Sequence, residues 1–239
     1  MPSLRAGAAC VGLTGSFSLL RHFFGFRRRT VPPDPTGVRS TVSLRRQLEQ
    51  LGGDHHALNV ILVGSDQFTD DELIRVDYSV YKLRNIWNQV GLGVGRVRHY
   101  SIDTSDADGL DTPTTRGQVE EITDRWFADN SGIDMFVPHN MSVPSGSGIL
   151  LGRSAVGGPC EDKDDKGMNG SVTGLWGDEQ TARTFAHELG HYLSLSHRNG
   201  QPDNLMCQSG SASSTRNSTD LTSGQGDDMD DHCLVRGGC

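Results

Sequence analysis

Apolar residues recur along this chain with two different periods, and the alternation between them lays out a sheet with helices packed on it. Leu58-Asn59-Val60-Ile61-Leu62-Val63 is a nearly continuous β-branched run closed by Gly64-Ser65-Asp66, the pattern of a buried strand. Thr69 followed by Asp70, Asp71 and Glu72 is an N-cap with an acidic first turn. It opens a helix reaching position 90 whose inward set is Leu73, Val76, Val80, Leu83 and Trp87. A second strand covers 94–102, a second helix covers 115–128 with Val119, Ile122 and Trp126 inward, and a third strand covers 133–137. Residues 148–155 form a further strand, placed at the sheet's edge, and 171–176 form the last strand before another helix. A helix returning between neighbouring strands implies parallel pairing. The expected fold is α/β (α+β), built on a twisted, mixed five-stranded sheet.

The flanks of this pattern differ from its middle. Residues 1–30 combine Arg5, an uncharged stretch diluted by Gly7, Gly12, Thr14 and Gly15, and the basic Arg27-Arg28-Arg29. Three readings stand for this segment: a signal peptide, the end of a pro-segment, and an extension outside the fold. The stretch is too short and too polar to span a membrane. Residues 31–56 hold a Pro-rich linker, Val31-Pro32-Pro33-Asp34-Pro35, and a short amphipathic helix carrying Leu44, Leu48 and Leu51. The globular domain is placed at 57–239. Beyond position 197 the chain turns rich in Ser, Gly, Asn and Thr, so a long loop is expected there before a final helix at about 227–235.

Composition narrows the class of function. The chain has 239 residues, a formal charge of −8 and a mean hydropathy of −0.45, which suits a water-facing domain with its own core. An acidic surface without a basic patch argues against nucleic acid as partner.

The chemistry concentrates in Thr184-Phe185-Ala186-His187-Glu188-Leu189-Gly190-His191-Tyr192-Leu193-Ser194-Leu195-Ser196-His197. On a helix, His187 and His191 share one face and can offer two imidazoles to one metal ion, with Glu188 flanking it. A catalytic zinc site uses three protein ligands and keeps a fourth position open. His197 is the candidate third ligand, yet a straight helix would carry it about 9 Å beyond His191. The helix must therefore stop near Ser194 in a left-handed turn, where glycine is the usual residue. If the turn fails, one of the downstream aspartates, Asp203, Asp220, Asp227, Asp228, Asp230 or Asp231, is the alternative third ligand.

These residues resemble the signature of the metzincin zinc endopeptidases, H-E-x-x-H-x-x-G-x-x-H followed by a methionine turn. His187, Glu188, His191 and His197 match it, while Ser194 stands at the glycine position. Asn204-Leu205-Met206 is similar to the Met-turn, with Met206 as its methionine. Leu221-Thr222-Ser223-Gly224-Gln225 is similar to the start of the C-terminal helix of secreted members, pappalysin-like and matrixin-like ones among them.

The resemblance implies one Zn2+ held by His187, His191 and His197, with Glu188 as catalytic base. It also implies a peptide substrate laid against the edge strand at Ile149, Leu150, Leu151 and Gly152. The implied activity is that of a zinc endopeptidase hydrolysing peptide bonds within protein or peptide substrates, by a secreted protein expected to be a monomer. The competing class of function is a secreted zinc-binding module of the same fold without hydrolysis. Some metzincins add a tyrosine after the Met-turn, and no tyrosine follows Tyr192 here.

Cys160, Cys207, Cys233 and Cys239 allow three pairings. A bridge from Cys207 to Cys160 or Cys233 would brace the site, and any such bridge implies an oxidising compartment. Cys10 reads as a leader residue rather than a latency switch. The aspartates of 103–111 are candidates for Ca2+, although no Glu closes the loop at the EF-hand distance, which favours a solvated acidic turn. Asn140, Asn169 and Asn217 stand in N-x-S/T sequons.

Overall fold

The structure, a computed structural model, describes residues 29–30, 53–160, 168–208 and 215–237. The amphipathic segment at 42–51, the acidic stretch at 161–167, Cys10 and Cys239 lie outside the described residues.

A five-stranded sheet carries the domain. Its strands are β2 (His55–Val63), β3 (Gly93–Ile102), β5 (Ile133–Pro138), β8 (Gly152–Arg153) and β9 (Ser171–Thr173), in the order β3-β2-β5-β9-β8. All pairings are parallel except β8 on β9. Small outliers complete the strands: β1 (Arg29–Thr30) pairs with β4 (Trp126–Phe127), and β6 (Pro144–Ser145) with β7 (Gly148–Ile149). The continuous apolar run of β2 has its reason here, because this interior strand is buried on both faces.

Helices cover those two faces. On one, α1 (Asp70–Trp87) and α4 (Asp178–Tyr192) pack Val76, Leu83, Phe185 and Leu189 against Leu58, Val60 and Leu62. On the other, α3 (Arg116–Arg125) packs Val119 and Ile122 with Ile61, Val63 and Phe136. Three helices start on the same reciprocal device. In α1, α3 and α5 (Ser223–Asp230) the caps Thr69, Thr115 and Thr222 accept from the backbone N–H three residues on, whose Glu72, Gln118 or Gln225 side chain reaches back. Each cap of this kind contributes about 1 kcal/mol. Among the described residues no helix is long and apolar enough to cross a membrane.

Several boundaries differ from those the sequence suggested; the last strand before α4, for one, ends at Thr173 rather than at 176. The edge segment is divided: β7 belongs to the β6–β7 hairpin, and only Gly152–Arg153 joins the main sheet. The second helix stops at Arg125, and Trp126 turns extended to pair with β1. Within the acidic loop, Thr104–Ala107 forms a short helix, α2. The final helix begins at Ser223 rather than near 227, because the Thr222–Gln225 capping box fixes its first turn.

His56 shows how a polar side chain is accommodated in this core. It is 1% exposed; its Nδ1 lies 3.2 Å from the Ala57 carbonyl and its Nε2 accepts from Trp87 Nε1–H at 3.0 Å. Both nitrogens are satisfied only in the neutral Nδ1–H form, and burial lowers the pKa to about 4. Above pH ~6.5 the imidazole is neutral folded and unfolded, so pH has no effect through it. Between there and pH ~4 the unfolded chain takes a proton that the folded chain refuses, so stability falls as pH falls. Urea unfolding at pH 7 and pH 4 is expected to show a loss of up to about 3 kcal/mol in the native chain beyond that of His56→Gln. Equal losses in both proteins would remove His56 as the source.

Candidate metal centre

Helix α4 builds the centre. It is buried along nearly its whole length, and its polar side chains therefore need partners within the protein. His187 and His191 sit one turn apart on it. The helix ends at Leu193, and Ser194 adopts φ +78°, the left-handed conformation its position demands. Leu195 N–H donates to Gly190 O at 2.9 Å and Ser194 N–H to His191 O at 2.9 Å, the paired bonds of a Schellman cap. This reversal brings His197 back to the helix. Its ring centroid lies 4.5 Å from that of His191 and 5.3 Å from that of His187.

One ligand atom from each of the three histidines lies within 4.8 Å of the others. The second ring nitrogens fix which atoms those are. His187 Nδ1–H donates to Leu205 O at 2.8 Å and His191 Nδ1–H to Leu195 O at 2.6 Å. Each Nε2 is thereby left as a lone pair aimed inward, the tautomer that metal-binding imidazoles use. His191 Nε2 and His197 Nε2 stand 3.0 Å apart. Burial holds His187 well below its ordinary pKa, lowers His191 to about 4 and lowers His197, and the Arg183 charge adds to all three shifts. Three neutral imidazoles converging their lone pairs form a donor set that fits a borderline-soft dication such as zinc. No carboxylate belongs to this group, so the downstream aspartates take no place in it among the described residues.

Glu188 is 6% exposed and lies under the edge strand. A Cβ on Gly152 would come within 2.7 Å of Glu188 Cγ and 2.8 Å of its Oε1, so only glycine lets the strand pass this close. Burial pushes the Glu188 carboxyl up to about 8, against the opposing pull of Arg183 and Arg153. A second glycine serves from below: a Cβ on Gly190 would meet Met206 Sδ at 2.9 Å, so Met206 packs directly against the helix between the two helical histidines.

Arg183 is the residue that motif reading passed over. It stands one turn before His187, is 6% exposed, and donates from Nη2 to the carbonyls of Leu205, at 2.7 Å, and Cys207. Leu205 O thus receives both Arg183 and the His187 Nδ1–H. One buried cation fixes the turn around Met206 and, through the shared carbonyl, the orientation of a histidine. The signal in the sequence is an arginine at i−4 from His187 on a helix face otherwise read as interior.

Of the sequence-predicted edge residues, Gly152 lies beside Glu188, whereas Ile149 belongs to β7 and the Leu150 N–H donates to Val143 O at 2.8 Å. Leu151 O accepts from Gly174 N–H and from Trp176 Nε1–H. The disulfide joins Cys160 to Cys233, not to Cys207, which is buried beneath the Met206 turn. It closes a loop of 73 residues, worth on the order of 4 kcal/mol in the chain-entropy account. It anchors the segment whose Gly157 and Gly158 N–H groups cap the last carbonyls of α4, those of His191 and Tyr192. The aspartates of 103–111 form no metal-capable group among the described residues; Asp66 and Asp103 instead accept from Thr104 and Ser65. Asn169 is buried, while Asn140 and Asn217 are exposed.

A histidine triad with a buried glutamate beside it, on a helix under a sheet edge, defines a metallopeptidase. The chain belongs to metallo-peptidase family M12: the family's Reprolysin_5 model matches residues 73–226, more than half of the 239. Among solved structures it is similar to archaemetzincin from Methanopyrus kandleri, at 12% identity and a TM-score of 0.48 over 73% of this chain and 93% of that one. It is also similar to metalloproteinase-II from Bacteroides fragilis, at 14% identity and a TM-score of 0.47 over 73% of this chain. The match spans about half, 52%, of that second protein. No curated protein matches the sequence.

Ser194→Gly is expected to raise stability by about 1 kcal/mol, because glycine adopts the left-handed turn without the Cβ penalty. Thermal unfolding of the two proteins checks it. A lower melting temperature in the variant would show that the Ser194 side chain contributes more than its backbone strain costs.

Proposed function

We propose that this chain is a zinc-dependent peptidase of the metzincin type, with His187, His191 and His197 as metal ligands and Glu188 as the catalytic base. The observation that carries the reading is the convergence of three imidazoles whose outer nitrogens, in His187 and His191, are already committed to backbone carbonyls. When bound there, zinc supplies a Lewis acid that polarises the scissile carbonyl and makes a water molecule acidic near neutral pH.

The protein's own groups do the rest. Glu188 Oε accepts the proton of the attacking water as its oxygen adds to the carbonyl carbon. The same oxygen then delivers that proton to the amide nitrogen as the C–N bond breaks, so the carboxylate is regenerated. Water exclusion around Glu188, by Gly152 above and Thr184 beside it, raises its proton affinity and strengthens every charge interaction in the site. Met206 forms the Met-turn floor, held by Arg183. Residues 57–239, together with His55 and His56 at the start of strand β2, constitute the catalytic domain, with 1–30 as leader or pro-segment and the stretch from 31 up to that strand as connection. The Cys160–Cys233 bridge supports a secreted location, where disulfides persist.

Two variants test the assignment. Glu188→Ala is expected to keep the metal and lose about 100- to 10,000-fold in hydrolysis of a mixed peptide pool; near-native turnover would take Glu188 out of the reaction. His197→Ala is expected to lose the metal, read by metal analysis of the purified protein. Retention of one zinc per chain in that variant would move the third ligand elsewhere.

A further inference from the structure

At the edge of the sheet beside Glu188, the backbone of Gly152, a buried residue, has no hydrogen-bond partner among the described residues, whereas the neighbouring Leu150 N–H is taken. Leu151 faces inward, since its carbonyl accepts from Gly174 N–H, just past the end of β9, at 2.9 Å. Backbone groups alternate along a strand, so the amides and carbonyls of Leu150, Gly152 and Ser154 face the opposite way, outward from the sheet. Gly152 is the one of these that abuts Glu188. An extended peptide adding to this edge would therefore pair at Gly152 and Ser154, with its backbone beside the carboxylate.

At Leu150 the same outward position is already occupied. Its N–H is bound by Val143 O at 2.8 Å, and the pairing continues through Pro144 with Ile149 and Ser145 with Gly148. The chain has placed its own strand, β6, in line with the peptide that Gly152 would receive. Val143 is 1% exposed and Met141 2%, so this obstruction is anchored in the core rather than draped over the surface. Beyond Ser154 the edge ends as well, because Gly157 N–H turns in to cap His191 O.

Direction follows from pairing. An added strand running antiparallel to β8, the more stable arrangement per residue, passes Ser154 first and Gly152 second as it proceeds from its N-terminus to its C-terminus. Its next residues would run head-on into Val143. Resting on the peptidase reading above, we infer that this site cuts near the C-terminal end of its substrate: the preferred substrates are peptides with only one or two residues beyond the scissile bond. Residues on the N-terminal side are held by strand addition at Gly152 and Ser154.

The native protein with bound zinc tests this without any variant. Two ladders of peptides share one mixed-sequence centre; one is extended stepwise at the C-terminus and the other at the N-terminus, and products are mapped by mass spectrometry. Cleavage is expected to fall at least ~10-fold in kcat/KM once four or more residues follow the cut bond, and to be unaffected or improved by N-terminal extension. Equal cleavage across both ladders, or a penalty confined to N-terminal extension, would overturn the inference and leave the peptidase reading standing. No cleavage of any member would overturn the peptidase reading, and this inference with it.

Discussion

Everything in the metal centre depends on where helix α4 stops. A helix can align two histidines four residues apart, but a third ligand six residues further on is reachable only if the backbone reverses. The reversal is made by Ser194 in the left-handed region, and it is over-determined. Ser194 and Leu195 amides bind back into the helix, while the Gly157 and Gly158 amides cap His191 and Tyr192 from outside. That outer segment is tied by the Cys160–Cys233 bridge, and a Cβ on Gly158 would meet the Tyr192 ring at 2.3 Å, so glycine alone lets the two lie together. A strained serine is tolerated where the surroundings leave the chain no other path.

Much of this was legible in the residues because the signals were local. The β-branched run 58–63 could only be a strand buried on both faces, and the acidic turn after Thr69 announced α1. The spacing of His187, His191 and His197 demanded a turn at Ser194, and the backbone turns there. What stayed hidden depends on contacts distant in sequence. Nothing in Ile149-Leu150-Leu151 distinguishes an edge strand from half of a hairpin; the difference is the carbonyl of Val143. Cys207 sits next to Met206 and so looked suited to a bridge, yet the bridge joins Cys160 and Cys233 across 73 positions, a proximity that only the folded chain creates. The final helix starts four residues before its conspicuous acidic middle, at the less visible Thr222–Gln225 pair that caps it.

Arg183 belongs to the same hidden category, and it shows how the centre is assembled from one helix and one turn. Burying a guanidinium is costly unless its hydrogen bonds are met. Here Nη2 is met by two carbonyls of the Met206 turn, those of Leu205 and Cys207, while Nε stays buried without a hydrogen-bond partner among the described residues. The Leu205 carbonyl, thus held, also fixes the His187 tautomer, so the position of a ligand atom is set by a residue that never faces it.

The placement of Glu188 completes this economy of parts. A carboxyl at that depth would be inert if burial alone acted on it, since burial disfavours the charged form. Arg183 from within the helix and Arg153 from the edge strand pull the other way, and Arg153 is itself held by Glu120 of α3. The proton affinity of the Glu188 carboxyl is therefore a balance among groups on its own helix, the sheet edge and the opposite helical layer. Gly152 belongs to the same balance: the missing side chain lets the edge strand close over the carboxyl and dry it. One glycine thus sets both how dry the carboxyl beneath the strand is and how close the strand's backbone lies to it.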